Sequence, residues 1–230
     1  WDLQQFTVHY AASIDGILEL PADAQYNVGT SNVSIASITI PTGYTLNGYA
    51  IANADDATLP ATATTVATST VGVGTTVQIT LNISLNQYTI TYDAGTNGGT
   101  IEGNATKEVT ANHGANLTCP APDSRTVYTF LGWFTQATGG TQVTASNIAT
   151  GNATYYAQWS LNSYSIEFVA GDPGNAAFNA ANVTLPTPAT VNVNGGSDYV
   201  VSQTASYANA ANALVVFTFD HWEENNTTVT

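Results

Sequence analysis

Few residues of this 230-residue chain could carry chemistry: three histidines, one cysteine, two basic side chains and sixteen carboxylates. His9, His113 and His221 recur in no metal-ligand spacing, and none stands in a His-Glu-x-x-His or nucleophile-elbow pattern, so surface positions are expected. Asp55-Asp56 and Glu223-Glu224 could add oxygens to a calcium site, but no Asp-x-Asp-x-Asp loop accompanies them. Solvated loop charge is the expectation. Cys119 can form no disulfide within the chain and has only Arg125 as a cation nearby in sequence, which predicts a small buried hydrophobe or an inert surface thiol. Lys107 could join an Asn or Asp in an isopeptide bond, but a single lysine argues against a recurrent crosslink. Ser-His-Asp and paired-carboxylate sites assemble only in three dimensions, and nothing here raises them above background. No catalytic residue, metal ligand or cofactor is assigned.

The Asn-x-Ser/Thr pattern occurs at Asn32, Asn82, Asn104, Asn116, Asn152, Asn182, Asn225 and Asn226, each a possible N-glycosylation site. Only Lys107 and Arg125 oppose the acids, giving a net charge of -14 with 8% of residues charged. Two cations are too few to grip a phosphate backbone, so nucleic acid is excluded as a partner and anionic membrane surfaces are disfavoured. The apolar share of 43% is enough for packed cores, unlike that of a disordered acidic chain. Thr, Asn, Ser and Gln supply most of the remaining polarity and suit strands and turns better than helices. No run is long and apolar enough to insert in a membrane, and no signal peptide is visible.

What must position these residues is a repeat. A ten-residue phrase occurs three times, beginning at Trp1, Ile83 and Trp159, with Leu3, Leu85 and Leu161 lying 82 and 76 residues apart. A second phrase, aromatic-Thr-apolar-x-x-aromatic, recurs at Tyr44 to Tyr49, Tyr128 to Trp133 and Phe217 to Trp222. The spacing predicts three modules over residues 1–83, 84–159 and 160–230. The third carries an insertion of about 13 residues within 175–213 and stops before its closing strand. Because Trp1 stands where Trp159 closes a module, the expectation is a segment of a longer array.

The first phrase alternates in period two: Phe6, Val8 and Tyr10; Tyr88, Ile90 and Tyr92; Tyr164, Ile166 and Phe168. That is the pattern of a strand with one buried face. Further strands are predicted at 33–40, 76–83, 154–159, 199–201 and 214–219. Turns are predicted at 97–99, 138–140, 172–174 and 194–196. Residues 144–149 and 205–213 could each form a turn or two of helix. The expected aromatic core is Trp1, Tyr88, Tyr92, Phe130, Trp133, Tyr156, Trp159 and Trp222. Stacked neighbours would bury junction residues such as Trp1 and Ile83. The fold class is mainly β, with α+β as the most helical alternative.

The middle module, with Tyr88-Thr-Ile-Thr-Tyr-Asp-Ala-Gly-Thr-Asn-Gly-Gly99, Tyr128-Thr-Phe-Leu-Gly-Trp-Phe134, Gly139-Gly140 and Thr154-Tyr-Tyr-Ala-Gln-Trp159, closely resembles the Listeria-Bacteroides repeat, also called the internalin-B-type B repeat. The first module is a diverged relative with Tyr49 and Ile83 in place of tryptophans, and is also similar to mucin-binding-protein repeats. The third departs at Asp220-His221. The resemblance implies small β-grasp-like modules in tandem on secreted, cell-surface proteins, acting as stalks, spacers or adhesive segments without catalytic residues.

The function expected is therefore a non-enzymatic extracellular stalk or spacer of a cell-surface protein, whose partners are neighbouring repeats or other copies. One alternative is a filament subunit assembled by strand-edge pairing. The other is a glycan- or mucin-binding module that uses Tyr26, Tyr199 and Tyr207.

Overall fold

The computed structural model describes residues 4–171, 180–185, 187–200, 205–208, 222–224 and 227–229. The first seven strands are β1 (Gln5–Ala12), β2 (Ala24–Asn27), β3 (Asn32–Ser34), β4 (Tyr44–Ala52), β5 (Thr58–Pro60), β6 (Thr65–Ala67) and β7 (Thr76–Leu85). Five of them form a sheet in the order β2-β1-β7-β4-β5. β1 and β7 run parallel, and the other neighbours are antiparallel. β7 is central, and its inward positions Val77, Ile79, Leu81 and Ile83 are all buried, as period two requires. A sheet needs a second layer over its apolar face. Here the layer is the ribbon β3–β6, which contributes the fully buried Val33 and Val66, and not a helix. The strand expected at 33–40 is only β3, because the chain beyond Ser34 leaves the ribbon after one more hydrogen bond, Ile35 N–H to Thr64 O.

The same sheet recurs. β8 (Gln87–Asp93), β9 (Thr106–Asn112), β10 (Tyr128–Phe134), β11 (Gln142–Val143) and β12 (Ala153–Leu161) lie in the order β9-β8-β12-β10-β11, which is the first sheet strand for strand. The parallel pair is again the first and last strands, β8 and β12. The irregularity recurs too. Register shifts between Leu46 and Gly48 against β7, and between Phe130 and Gly132 against β12. The two central residues of the second phrase are thus a β-bulge, which explains its glycine: Gly48 has φ +149° and Gly132 φ +134°. The bulge re-aims the following aromatic inward, so Tyr49 and Trp133 are both buried.

Each sheet has its own core. In the second, Tyr92 and Trp133 are buried in an edge-to-face pair 4.9 Å apart. Tyr88, Phe130 and Trp159 pack against them half-buried. Tyr155, not Tyr156, joins this cluster. Ala153, Tyr155, Ala157 and Trp159 share one face of β12, and Tyr156 has the opposite parity. Trp1 lies outside the described residues, and so do the surroundings of Trp222.

In the third module β13 (Ser163–Glu167) pairs antiparallel with β15 (Thr190–Asn194), as β1 does with β2 and β8 with β9. The connection is residues 168–189, ten longer than 94–105 in the second module, and it carries β14 (Val183–Thr184). β14 pairs with β16 (Ser206–Tyr207), and β17 (Trp222–Glu224) with β18 (Thr227–Val229). The strand expected at 214–219 and the turn at 172–174 lie outside the described residues, and 199–200 is not strand. Residues 144–149 form a turn closed by Asn147 Oδ1 accepting from Thr144 N–H, and not a helix. The helix expected at 205–213 is β16 at its start, and residues 209–213 are outside the described set.

Candidate functional site

The structure disperses the residues whose types could do chemistry. His9 Nδ1 meets Asp23 Oδ1 at 2.7 Å on the exposed face of β1. Lys107 Nζ pairs with Glu102 Oε1 at 2.5 Å, also at the surface. Cys119 is half-buried and takes the hydroxyl of Tyr92 at 3.6 Å. That hydroxyl is pushed to a higher pKa by burial first and by its Cys119 neighbour second. Among the described residues no three His, Cys, Asp or Glu side chains gather to hold a metal ion. His221 lies outside the described residues, as do the side chains of Glu223 and Glu224.

The acidic pair of the first module clasps a loop. Asp55 accepts from the N–H and hydroxyl groups of both Ser69 and Thr70, while Asp56 Oδ2 accepts from Ala67 N–H at 2.9 Å. The hydroxyls of Ser69 and Thr70 hold the Asp55 carboxyl below the usual carboxylate range. Asp123 does the same in the second module. Its carboxylate accepts from Thr100 Oγ1 at 2.6 Å, Gly103 N–H at 2.8 Å and Glu102 N–H at 3.1 Å, and it too is lowered, chiefly by Thr100. A depressed folded-state pKa contributes stability that is fully present above the unfolded value, roughly 3.9, and is lost as pH falls through the folded value. Acid unfolding of the second module is thus expected to steepen below about pH 4, and Asp123→Asn to flatten that limb. Amide exchange of β9 and β10 followed from pH 6 to 2 checks it, and identical acid limbs in the two proteins would refute it.

Arg125 is structural. Its guanidinium lies 3.9 Å over the Tyr128 ring and 5.1 Å from Trp159, and Nη1 donates to Asn97 O at 2.9 Å. The predicted turn at 97–99 is therefore held from outside. Asn97 Nδ2 in turn donates to Ala137 O and Ala157 O. Arg125→Ala is expected to cost about 1–3 kcal/mol, by loss of the ring contacts and of a charge-assisted bond. Arg125→Lys should recover only part of it, which urea unfolding of the two variants measures.

The potential glycosylation sites occupy unlike environments. Asn32, Asn104, Asn116, Asn152 and Asn182 are exposed, whereas Asn82 is half-buried in central β7. Asn152 Oδ1 also accepts from Thr89 N–H at 2.9 Å. Asn225 and Asn226 are outside the described residues. The tyrosines proposed for glycan contact are half-buried against their own modules. Tyr26 stacks on Phe6 at 5.8 Å, Tyr199 lies 6.4 Å from Phe168, and Tyr207 accepts from Asn182 Nδ2 at 3.5 Å.

The recurring polar geometry lies between the sheets. β7 ends at Leu85 and β8 begins at Gln87, so Asn86 is the single residue between them. Its N–H donates to Gly43 O at 2.8 Å, its Oδ1 accepts from Thr45 Oγ1 at 2.6 Å, and its carbonyl accepts from His113 N–H at 2.8 Å. The first two partners belong to the first module and the third to the second. Asn162 stands likewise between β12 and β13. Its N–H donates to Val127 O at 2.9 Å, its Oδ1 accepts from Thr129 Oγ1 at 2.7 Å, and its carbonyl accepts from Gly195 N–H at 2.7 Å. At Gln4 the third contact recurs, with Val28 N–H donating to its carbonyl at 2.9 Å. A shallow open notch beside the first joint is lined by Thr45, Leu85, Asn86, Tyr88 and Asn152, among others.

This corrects one expectation. Ile83 is buried in the core of its own sheet and is not stacked between modules, Trp1 lies outside the described residues, and Trp159 packs on the second core. A strand of period two sends alternate residues into its own sheet's apolar face, so the aromatic or aliphatic end of the phrase serves the module it closes. The joint itself is polar. Its signal was present in sequence, since Asn follows Ser-Leu in the phrase at both 86 and 162 and Thr follows the aromatic at both 45 and 129. Gly43 and Val127 carried no such mark.

A mixed five-stranded sheet with a bulge, repeated and linked through one asparagine, defines a class of small all-β tandem module. Residues 88–158 match the family model of the Listeria-Bacteroides repeat domain, and the middle module is such a repeat. Two proteins of Evansella cellulosilytica are similar to parts of the chain. One, named "Putative membrane protein", is 33% identical over 90 residues, 38% of this chain and 12% of its own length. Another, named "Putative Gly-rich membrane protein", is 33% identical over 89 residues, 36% of this chain and 9% of its own. The chain thus matches about a tenth of each relative. Among the described residues no helix is long and apolar enough to cross a membrane.

Proposed function

We propose that this chain is a non-enzymatic, extracellular repeat segment that holds other parts of a longer surface protein away from the cell. One observation carries the reading: the same sheet recurs with the same strand order, and the same asparagine geometry links each module to the next. Such a design supplies length and orientation. The titratable groups are scattered, and the engagement of His9, Asp55, Asp56, Lys107 and Asp123 in loops or surface pairs supports a structural role over a catalytic one. The small share of each named membrane protein that the chain matches fits a repeat region whose attachment to the membrane is made elsewhere.

Antibodies against the purified segment, applied to intact cells that express the full-length protein, test this. Labelling without permeabilisation, removed by external protease, is the expected result. Signal only after permeabilisation overturns it.

Filament assembly through sheet edges is the weaker reading. The longest open edge, β9, carries Lys107 and Glu108, and edge charge is a device that opposes strand addition. Glycan binding is likewise a weaker reading, because Tyr26, Tyr199 and Tyr207 are half-buried against their own modules.

A further inference from the structure

We infer that the joints are stiff and neighbour-specific: the linker asparagine locks two modules at one angle, and a glycine on one side of each joint admits a side chain from the other. The inference rests on the stalk reading for its use, though not for its geometry.

The lock follows from the three contacts of each linker residue. Asn86 and Asn162 each use backbone N–H and side-chain oxygen to hold the module behind, and backbone carbonyl to hold the module ahead. One residue fastened on both sides leaves few free dihedrals between two rigid sheets, whereas a linker of several unpaired residues would leave many. Asn suits the place because its short side chain accepts from the Thr hydroxyl without disturbing its own backbone bonds.

The fit is complementary in size and opposite in sense at the two joints. At the first, the residue before β4 is Gly43, and a Cβ built there would collide with the His113 imidazole of the next module. At the second, the corresponding residue before β10 is Val127, and it faces Gly195 of the next module, where a Cβ would lie 2.6 Å from Val127 Cβ. Each joint thus has one side chain and one glycine, with the roles exchanged. Gly195 is constrained by this contact and not by its backbone, for it has no positive φ. Pairing the Val127 face with a His113-type face would place two side chains where there is room for one. The partner each face fits is therefore its own neighbour in the array.

The test uses the intact 230-residue chain, with 15N relaxation to read module tumbling and amide exchange to read the joints. In the wild type, the first two modules should share one rotational diffusion tensor, with the amides of Asn86 and His113 protected. Asn86→Ala removes the bond to Thr45 Oγ1 and should separate the tensors and weaken protection at the residue 86 amide, which faces Gly43 O of the first module, while amides inside β7 and β8 keep theirs, showing that both sheets remain folded. Asn86→Asp keeps an acceptor oxygen and should retain the shared tensor. At the second joint, Gly195→Val should expose the amides of Asn162 and residue 195, and Val127→Gly in that background should restore them. Independent tumbling in the wild type, a shared tensor in Asn86→Ala, or failure of Val127→Gly to rescue overturns the inference. Loose joints with surface labelling would remove the inference and leave the proposed function, and buried antigen with stiff joints would do the reverse.

Discussion

Trp133→Ala is expected to bring the middle module to the edge of unfolding while leaving the first sheet folded. Trp133 is 2% exposed, its ring meets Tyr92 at 4.9 Å and Phe130 at 5.6 Å, and its Nε1 donates to Pro120 O at 2.9 Å. Truncating a buried tryptophan costs about 3–5 kcal/mol through lost transfer energy and the cavity left behind. A module of this size has on the order of 5 kcal/mol to lose. The same change also strips the Pro120 carbonyl of its donor. Trp133→Phe should keep most of the ring packing and cost less, about 1–3 kcal/mol, from the unsatisfied carbonyl and the smaller ring. Amide exchange across the whole chain gives the reading module by module. Undiminished protection of β8, β10 and β12 in Trp133→Ala would refute the account. Because β1, β7 and β4 enclose a separate core, their protection should persist.

Gly48→Ala should damage the first module more than Gly132→Ala damages the second, although the two glycines occupy the same bulge. Both have positive φ, +149° and +134°, so both substitutions bring backbone strain of about 1–3 kcal/mol. The difference lies in what a new Cβ meets. At Gly48 it would lie 2.6 Å from the Leu59 carbonyl oxygen, a backbone atom held in the β4–β5 ladder. At Gly132 it meets the amide nitrogen of Gln142, the far end of a flexible side chain that can swing away after giving up its bond to Leu131 O. Overpacking against fixed backbone adds a further 1–3 kcal/mol or so. Gly48→Ala is thus expected to cost about 2–6 kcal/mol and Gly132→Ala nearer 1–3, as urea midpoints for the two modules would read. Equal costs would mean that φ alone decides.

Much of the fold was legible because repetition and period two are both local. The two copies of the second phrase that the structure describes became β4 and β10, and the alternation of Tyr88, Ile90 and Tyr92 became a strand with one buried face. β9 is weakly marked in the sequence, since only Val109 and Ala111 of Thr-Lys-Glu-Val-Thr-Ala-Asn are apolar and face the core. It is a strand because β8 supplies seven paired positions from Gln87 to Asp93. β6 is unmarked for a similar reason, being three residues long and fixed by the core beneath it, while the strand expected at 33–40 shortens to its partner β3. Two adjacent tyrosines cannot both face inward, and Tyr155, not the expected Tyr156, has the parity of Trp159. The choice falls to Tyr155 through its neighbours Ala153, Ala157 and Trp159.

By itself the amino-acid sequence determined that this is a mainly β protein built from repeats and that its middle unit is of the Listeria-Bacteroides kind. Those conclusions need only composition, spacing and the two-residue period, which are properties of the chain read in order. Tertiary structure alone decided what the recurring Asn, Thr and Gly do. Asn86 touches Thr45 and His113, residues 41 and 27 positions away in opposite directions, and Gly43 lies against His113 across 70. Contacts of that kind depend on how two finished sheets meet, and no local preference encodes the meeting.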